Sequence, residues 1–375
     1  MPRWRDASGP PRSFEAGALY LRPVELLAGA VAGRACRAGA AVPLAGGPLA
    51  FRRAELVART AEGVRTWRAG LAEIRDWAEA EGGAVAARVA TLAAHCTAMR
   101  PPFAGLRLDR PRLFGVLNVT PDSFSDGGDY ADPETAVAHG AFLAKAGAAI
   151  VDIGGESTRP GAAPVTVEEE LRRVLPVIGK VAAAGAVVSI DSRHADVMAA
   201  ALDAGASVLN DVSALGHDPA ALALAAKRQA PAVLMHMRGE PRTMQENPEY
   251  DDVVLDVFDY LEARMAACEG AGLRRDKLCV DPGIGFGKTA AHNLEILNKL
   301  SLFHGLGAGI LVGVSRKRFL GEGRPDLAPK QRLSASIAAA LGCLNQGAQC
   351  LRVHDVAESA QAIRVWAALQ NGAGR

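Results

Sequence analysis

From about residue 112 onward, short apolar runs alternate with longer segments of helical spacing. The runs at 113–118, 149–153, 187–191, 207–210, 232–237, 278–281, 310–314 and 350–354 are predicted strands, and a predicted helix at 356–369 follows the last. Continuous apolar strands that alternate with helices mark parallel βα units buried on both faces. Eight such units between 112 and 375 predict an α/β fold, a (β/α)8 TIM barrel, in preference to an open doubly wound sheet.

Residues 1–100 have another texture. Leu56, Val57, Val64, Trp67, Leu71, Ile74 and Trp77 fall at near-helical spacing and predict one amphipathic helix over 54–81, with a second at 84–98. Upstream, prolines and glycines interrupt any pattern, and Arg100-Pro101-Pro102 closes the helical stretch. The expected organisation is a small, mainly helical N-terminal extension at 1–105 followed by the barrel domain at 106–375. The extension carries no motif with chemical meaning, so a packing or oligomerisation role is expected. Its apolar run at 26–33 is flanked by Arg22, Glu25, Arg34 and Arg37, and is read as neither a signal peptide nor a membrane span.

The strands end on polar groups: Asn118, Asp152, Asp191, Asn210, His236, Asp281, Ser315 and His354. In a barrel these ends share one face, so residues far apart in sequence converge on one mouth. Two or three of them are expected merely to cap the next helix, since Asp, Asn and Ser are favoured there.

Composition narrows the chemistry only a little. Hydrophobic residues make up 49% and charged residues 22%, and the net charge of +1 provides no global field for nucleic acid or an anionic membrane. An anion site must therefore be local. The six cysteines lie in apolar stretches without CxxC spacing and are expected to be buried free thiols.

The loops carry more. Gly283-Ile284-Gly285-Phe286-Gly287-Lys288-Thr289 fits neither GxGxxG nor GxxxxGK[ST], which excludes a dinucleotide fingerprint and a P-loop. The anion candidates are Arg352 and His354, beside the start of the last helix, where barrels often hold phosphate. Asp191, Asn210, Asp281 and Lys317 offer acceptors, an amide and an ammonium, a set suited to a flat heterocycle with an amino-amide edge. Asp191 and Asp281 could instead form a glycosidase acid/base pair, although that leaves Lys317 and the anion corner without a role.

Several long motifs resemble bacterial dihydropteroate synthase over about 112–375. Leu117-Asn118-Val119-Thr120-Pro121-Asp122-Ser123-Phe124-Ser125-Asp126-Gly127-Gly128 is similar to the first family signature and 152–161 to the second. The segment 281–288, Ser315-Arg316-Lys317 and Arg352-Val353-His354 resemble the remaining site motifs, in the family's order. Asp191-Ser192 stands where Asp-Thr is common, which keeps a hydroxyl.

The resemblance implies a transferase of folate biosynthesis that joins 6-hydroxymethyl-7,8-dihydropterin diphosphate to p-aminobenzoate and releases pyrophosphate. It implies that Asp191, Asn210, Asp281 and Lys317 hold the pterin, and that Asn118, Thr158, Arg352 and His354 meet the diphosphate. Asn118 would also contact Mg2+, the implied cofactor, held mainly by the diphosphate. Phe124, Thr158, Arg159, Pro160, Phe286, Ser315 and Lys317 would line the p-aminobenzoate site. Asp126, Arg159, Lys317, Arg352 and His354 would be the catalytic set, and 120–128 and 157–161 the family's two mobile loops. It further implies a cytoplasmic homodimer with small-molecule substrates and neither nucleic-acid nor membrane partners. The rival readings are a pterin-binding methyltransferase, whose substrate lacks a diphosphate, and a pterin-binding paralogue without synthase activity.

Overall fold

The computed structural model describes residues 4–120, 133–157, 165–240, 243–321, 324 and 326–371. The N-terminal region contains strands β1 (Arg5–Asp6), β2 (Phe14–Ala28), β3 (Val42–Pro43), β4 (Leu49–Thr60) and β5 (Gly63–Ala69), with helices α1 (Gly29–Arg37), α2 (Leu71–Glu81) and α3 (Gly83–Thr97). The remainder alternates β6 (Arg112–Asn118), α4 (Pro133–Ala146), β7 (Ile150–Gly154), α5 (Val167–Ala183), β8 (Val188–Asp191), α6 (Ala195–Asp203), β9 (Val208–Asp211) and α7 (Pro219–Arg228). It continues through β10 (Ala232–Met235), α8 (Val253–Gly270), β11 (Leu278–Asp281), α9 (Ala290–Asn298), β12 (Gly309–Val312), α10 (Leu333–Asn345), β13 (Cys350–Val353) and α11 (Val356–Asn371).

Strands β6 to β13 pair in parallel in chain order and close, β13 against β6, into the expected eight-stranded barrel. Every expected strand is present within a few residues of its predicted bounds. The six cysteines are free thiols, all buried except the half-buried Cys36.

The expectation of a mainly helical extension is corrected. The residues predicted as one helix over 54–81 form most of β4, all of β5, and then α2. Strand β4 pairs antiparallel with both β2 and β5, its stretch Ala54–Ala58 is buried without a break, and the β4–β5 turn closes with Thr60 opposite Gly63. Thr60 Oγ1 donates to the Gly63 carbonyl at 2.8 Å, and Gly63 has a positive φ of 112°, both turn signals inside the supposed helix. Trp67 and Trp77 do meet, edge to face at 6.0 Å, but across a strand–helix contact rather than along one helix. Helix α3 matches the second prediction.

The sheet is fused to the barrel's outer surface. One hydrophobic cluster runs from Leu19, Tyr20 and Phe51 through Phe258 and Phe303 into the barrel helices, with Tyr20 edge-on to Phe258 at 5.3 Å. The connector plugs the barrel floor. Phe103 and Leu108 pack among Phe114, Ile150, Val208, Val233, Cys279, Leu311 and Cys350, near the amino ends of the strands. Phe103 and Leu106 exchange backbone hydrogen bonds of 3.0 and 2.8 Å, which folds the plug back on itself.

Because Phe103 is 2% exposed, Phe103→Ala should leave a cavity under the barrel and lower unfolding stability by about 3–5 kcal/mol. The denaturant midpoint of the full chain measures this, and a midpoint like that of the parent would show that the plug contributes nothing.

Candidate active site

The strand ends open on a cavity of about 1170 Å3 whose lining includes Asn118, Asp191, Asn210, Asp281, Ser315 and His354. Lys317, Phe286 and Arg352 line it as well. The next helices draw their side-chain caps from deeper in the loops, from Thr166, Asp218, Asp252 and Thr289. The expected helix-capping role of the strand ends is therefore not what these caps show, and most of those polar groups face the mouth. Phe124, Asp126, Thr158, Arg159 and Pro160 lie outside the described residues.

Two of the expected strand-end groups, Asp152 and His236, do not line the cavity: Asp152 sits in the middle of β7, and His236 follows β10 directly. A carboxylate inside the apolar run Ile150-Val151-Asp152-Ile153 can be buried only with partners. Asp152 Oδ2 accepts from Arg352 Nε at 2.6 Å and from Asn210 Nδ2 at 3.1 Å. Arg352 Nη2 donates to Asp191 Oδ2, also at 2.6 Å, so one guanidinium ties β13 to β7 and β8 across the interior. The residue expected to meet an anion is thereby shared with two carboxylates.

Burial pushes the Asp191 carboxyl up to about 7, with Arg352 opposing the rise and Asp152 adding to it. It likewise pushes Asp281 up to about 6, against the Gly283 N–H, which donates to its Oδ1 at 2.7 Å, and the nearby lysines. Lys317 is brought down to about 8 by burial and by Arg352, against the pull of Asp281 and Asp191. Its Nζ lies 4.1 Å from the centre of the Phe286 ring, a cation–π contact that orients the ammonium.

The glycine-rich loop after β11 is shaped by its backbone. Gly283 has φ +68°, and a Cβ there would come within 1.8 Å of the His236 carbonyl oxygen. At Gly287 (φ +61°) a Cβ would meet the Arg238 carbonyl at 2.3 Å. Buried Lys288 fastens the turn, its Nζ donating to His236 Nδ1 (2.8 Å) and to the carbonyls of Gly283 (2.9 Å) and Phe286 (3.1 Å). Burial holds this lysine well below its ordinary pKa. The glycines that invited a phosphate reading thus permit close backbone approach instead.

At the other end of the mouth, His354 Nδ1 lies 3.0 Å from Ser315 Oγ, just before α11 begins. Between Ser315 and Lys317, Arg316 adopts a left-handed backbone with φ 60°. A two-point ion pair with Asp355 (3.1 and 2.6 Å) and a 2.8 Å bond from its N–H to Ser336 Oγ hold it there. That turn presents Ser315 and Lys317 to the cavity from either side of Arg316.

Residue patterns did not single out the Arg352–Asp152 pair, the Lys288 clamp, the Arg316–Asp355 pair, or Met244 and Gln245 of the cavity wall. An acid and a cation embedded in apolar strands, Asp152 in β7 and Arg352 in β13, were the available signal for the first. The others depend on loop conformation.

Residues 114–354 match the pterin binding enzyme family. Dihydropteroate synthase of Escherichia coli K12 is 47% identical over 261 residues, covering 69% of this chain and 92% of that protein. The Neisseria meningitidis serogroup B dihydropteroate synthase is 46% identical over 267 residues, with 70% and 94% covered. Among solved structures, Xanthomonas albilineans dihydropteroate synthase with 4-aminobenzoic acid has a TM-score of 0.68 at 49% identity, covering 73% of this chain and 98% of that one. The same organism's enzyme in complex with 7,8-dihydropteroate has a TM-score of 0.64 at 47% identity, with 71% and 96% covered. The chain belongs to the pterin-binding enzymes. It is a transferase, and its activity is that of a dihydropteroate synthase.

Gly283→Ala should force the His236 carbonyl away and displace the Gly283 N–H from Asp281. If Asp281 accepts from the pterin, as the family resemblance implies, pterin affinity should fall at least about tenfold, because a carboxylate out of place leaves the ligand's donor edge unpaired; calorimetric titration with a pterin analogue measures this. Unchanged affinity would show that the loop backbone does not position Asp281.

Proposed function

We propose that the mouth condenses 6-hydroxymethyl-7,8-dihydropterin diphosphate with p-aminobenzoate by a dissociative route. The methylene C–O bond to the diphosphate breaks first, the amine nitrogen forms the new C–N bond, and the amine loses a proton. The observation that carries this reading is the placement of Asp191, Asn210, Asp281 and Lys317 on one cavity with Ser315 and His354. An arylamine is already neutral at pH 7 and needs no strong base, so catalysis acts chiefly on the leaving group.

Asp191 and Asp281 accept from the pterin's amino-amide edge, and Asn210 and Lys317 complete that edge. Ion pairing with Arg352 favours the ionised form of Asp191 in spite of its burial. His354 and the amino end of α11 stabilise charge developing on the departing diphosphate, with Arg352 alongside. Thr158 joins this group, and Arg159, Pro160, Phe124, Phe286, Ser315 and Lys317 form the p-aminobenzoate site. Asp126 stabilises the electron-deficient methylene.

Among the described residues no three His, Cys, Asp or Glu side chains cluster as metal ligands. Asn118 lines the cavity at the end of β6, and its amide oxygen lies beside Gly154, 3.7 Å from where a Cβ would stand. One amide oxygen fits a Mg2+ that travels with phosphate oxygens and keeps several waters. When bound, that ion neutralises diphosphate charge. The same reading takes 106–375 as the catalytic unit and the enzyme as a cytoplasmic homodimer. Among the described residues no helix is long and apolar enough to cross a membrane.

The full chain with dihydropterin diphosphate and Mg2+ should release pyrophosphate only when p-aminobenzoate is added, with dihydropteroate formed. Pterin binding without turnover would favour the non-catalytic paralogue.

The pH profile supplies a second check. Asp191 and Asp281 must be ionised to accept, and their carboxyls stand at about 7 and about 6. Lys317, at about 8, must be protonated to donate. The profile of kcat/KM should therefore fall on the acid side through 7 to 6 and on the alkaline side near 8. Lys317→Met should lose the alkaline limb, and a limb that persists would assign it to another group.

A further inference from the structure

Residues 1–113 lie ahead of the matched family region, yet their strands reach the loop that leads from β10 into α8. In β4, Arg59 Nη2 donates to Asp256 Oδ1 at 2.6 Å and to Asp259 Oδ2 at 3.1 Å. Tyr20 of β2 donates to the same Asp259 at 2.8 Å, so two strands hold two successive turns of α8. The other oxygen of Asp256 accepts the backbone N–H groups of Asp251 (2.9 Å) and Asp252 (3.3 Å). Asp252 caps α8 through Val254 and Leu255, while its second oxygen accepts from Trp4 Nε1 at 2.6 Å. Trp4 is itself held by Lys299, whose Nζ sits 3.8 Å from its ring centre.

The segment fastened in this way touches the active site. Tyr250, two residues before the cap, donates its hydroxyl to the Gly287 carbonyl at 2.7 Å and is covered by the Arg238 guanidinium at 4.9 Å. Gln245 Nε2 donates to the Gly285 carbonyl at 2.7 Å, and both Gln245 and Met244 line the cavity. Gly285 and Gly287 flank Phe286, the ring that faces Lys317.

We propose that Arg59 and Trp4 are positioning residues, through which the N-terminal sheet fixes the loop before α8 and, with it, the Phe286 wall of the active site. The path is short and polar at each step: Arg59 to Asp256, Asp256 to the backbone at 251–252, Tyr250 to Gly287. Without Arg59, Asp256 and Asp259 lose a shared cation and are left as like charges one turn apart, which loosens the start of α8. Without the Trp4 N–H, Asp252 keeps its cap but loses its outer tether. The functional consequence rests on the proposed reading that Phe286 lines the p-aminobenzoate site.

The test uses the full chain with Arg59→Gln, Trp4→Phe and the two combined, and with Arg59→Lys as the conservative variant. The combined variant should raise KM for p-aminobenzoate about five-fold or more while kcat stays within about two-fold, the pattern of lost substrate positioning. Hydrogen exchange should speed up at 244–252 and 283–288, and Arg59→Lys should recover most of the parent KM. Trp4→Phe keeps the ring's bulk and gives a smaller change in the same direction should the combined variant not fold. A lowered melting temperature with unchanged KM and unchanged exchange at those segments would overturn the proposal. A parent enzyme that does not turn over would overturn the reading of the site instead, and the exchange measurement would still decide the brace.

Discussion

The site is organised around one guanidinium between two carboxylates. Arg352 closes onto Asp152 and Asp191 at 2.6 Å each, in an interior where a carboxylate without a partner is costly to bury. The pair with Asp152 lies beneath the cavity and joins strands β13 and β7, which flank β6, so the ionic contact and the closure of the barrel reinforce each other. Removing the cation would leave two buried acids without their partner, and Asn210, which also leans on Asp152, would lose its reference. The pterin edge assigned to Asp191 and Asn210 therefore depends on Arg352, whose charge is already shared between two carboxylates.

This arrangement separates charge within the cavity. Asp191 and Asp281 are held at the edge of ionisation by burial, with Lys317 and Arg352 offsetting them, which suits a neutral heterocycle that presents hydrogen-bond donors. A diphosphate there would face carboxylates. In the proposed reading its place is by His354 and the amino end of α11, where the backbone field favours negative charge. The bond that breaks must then lie between the two regions, and the fold sets that distance through strands fixed in register rather than through loops.

The barrel could be read from the chain because each strand is a short apolar run ending in a polar group, and a parallel sheet buried on both faces leaves little other interpretation. Asp191, Asn210, Asp281, Ser315 and His354 emerged from the same rule, since strand ends in a barrel converge on the mouth, although Asp152 and His236, expected by it too, do not line the cavity. The hairpin of β4 and β5 was misread for a related reason. Consecutive residues are buried in both strands, as at Leu56–Val57 and Thr66–Trp67, so Leu56, Val57, Val64 and Trp67 lack clean alternation, and their separations coincide with helical ones. The turn at Thr60–Gly63 carried the contrary signal in a single glycine. The Lys288 clamp and the Arg316 turn could not be read: the first depends on carbonyls gathered by left-handed glycines, the second on a left-handed arginine met by Asp355 and Ser336 from distant segments.

The extension changes how the barrel should be regarded. An appendage selected only for bulk would bury apolar surface anywhere on the outer helices. This one plugs the floor with Phe103 and Leu108, packs Tyr20 on Phe258 from the side, and reaches the mouth with Trp4 and Arg59 at the start of α8. Its polar contacts run up one helix, from Arg88 on Glu262 through Arg59 on Asp256 to Trp4 on Asp252, so that the amino-terminal half of α8 is gripped at several turns. A helix held in this way cannot tilt without breaking several partly buried ion pairs together, and small displacements at its start pass through Tyr250 into the glycine loop. The glycine loop permits close approach but cannot supply its own rigidity, because its residues were chosen for conformational freedom. Rigidity has to come from outside it: from Lys288 below, from Asn293 of α9, which accepts the Gly285 N–H at 2.7 Å, and from the braced segment before α8.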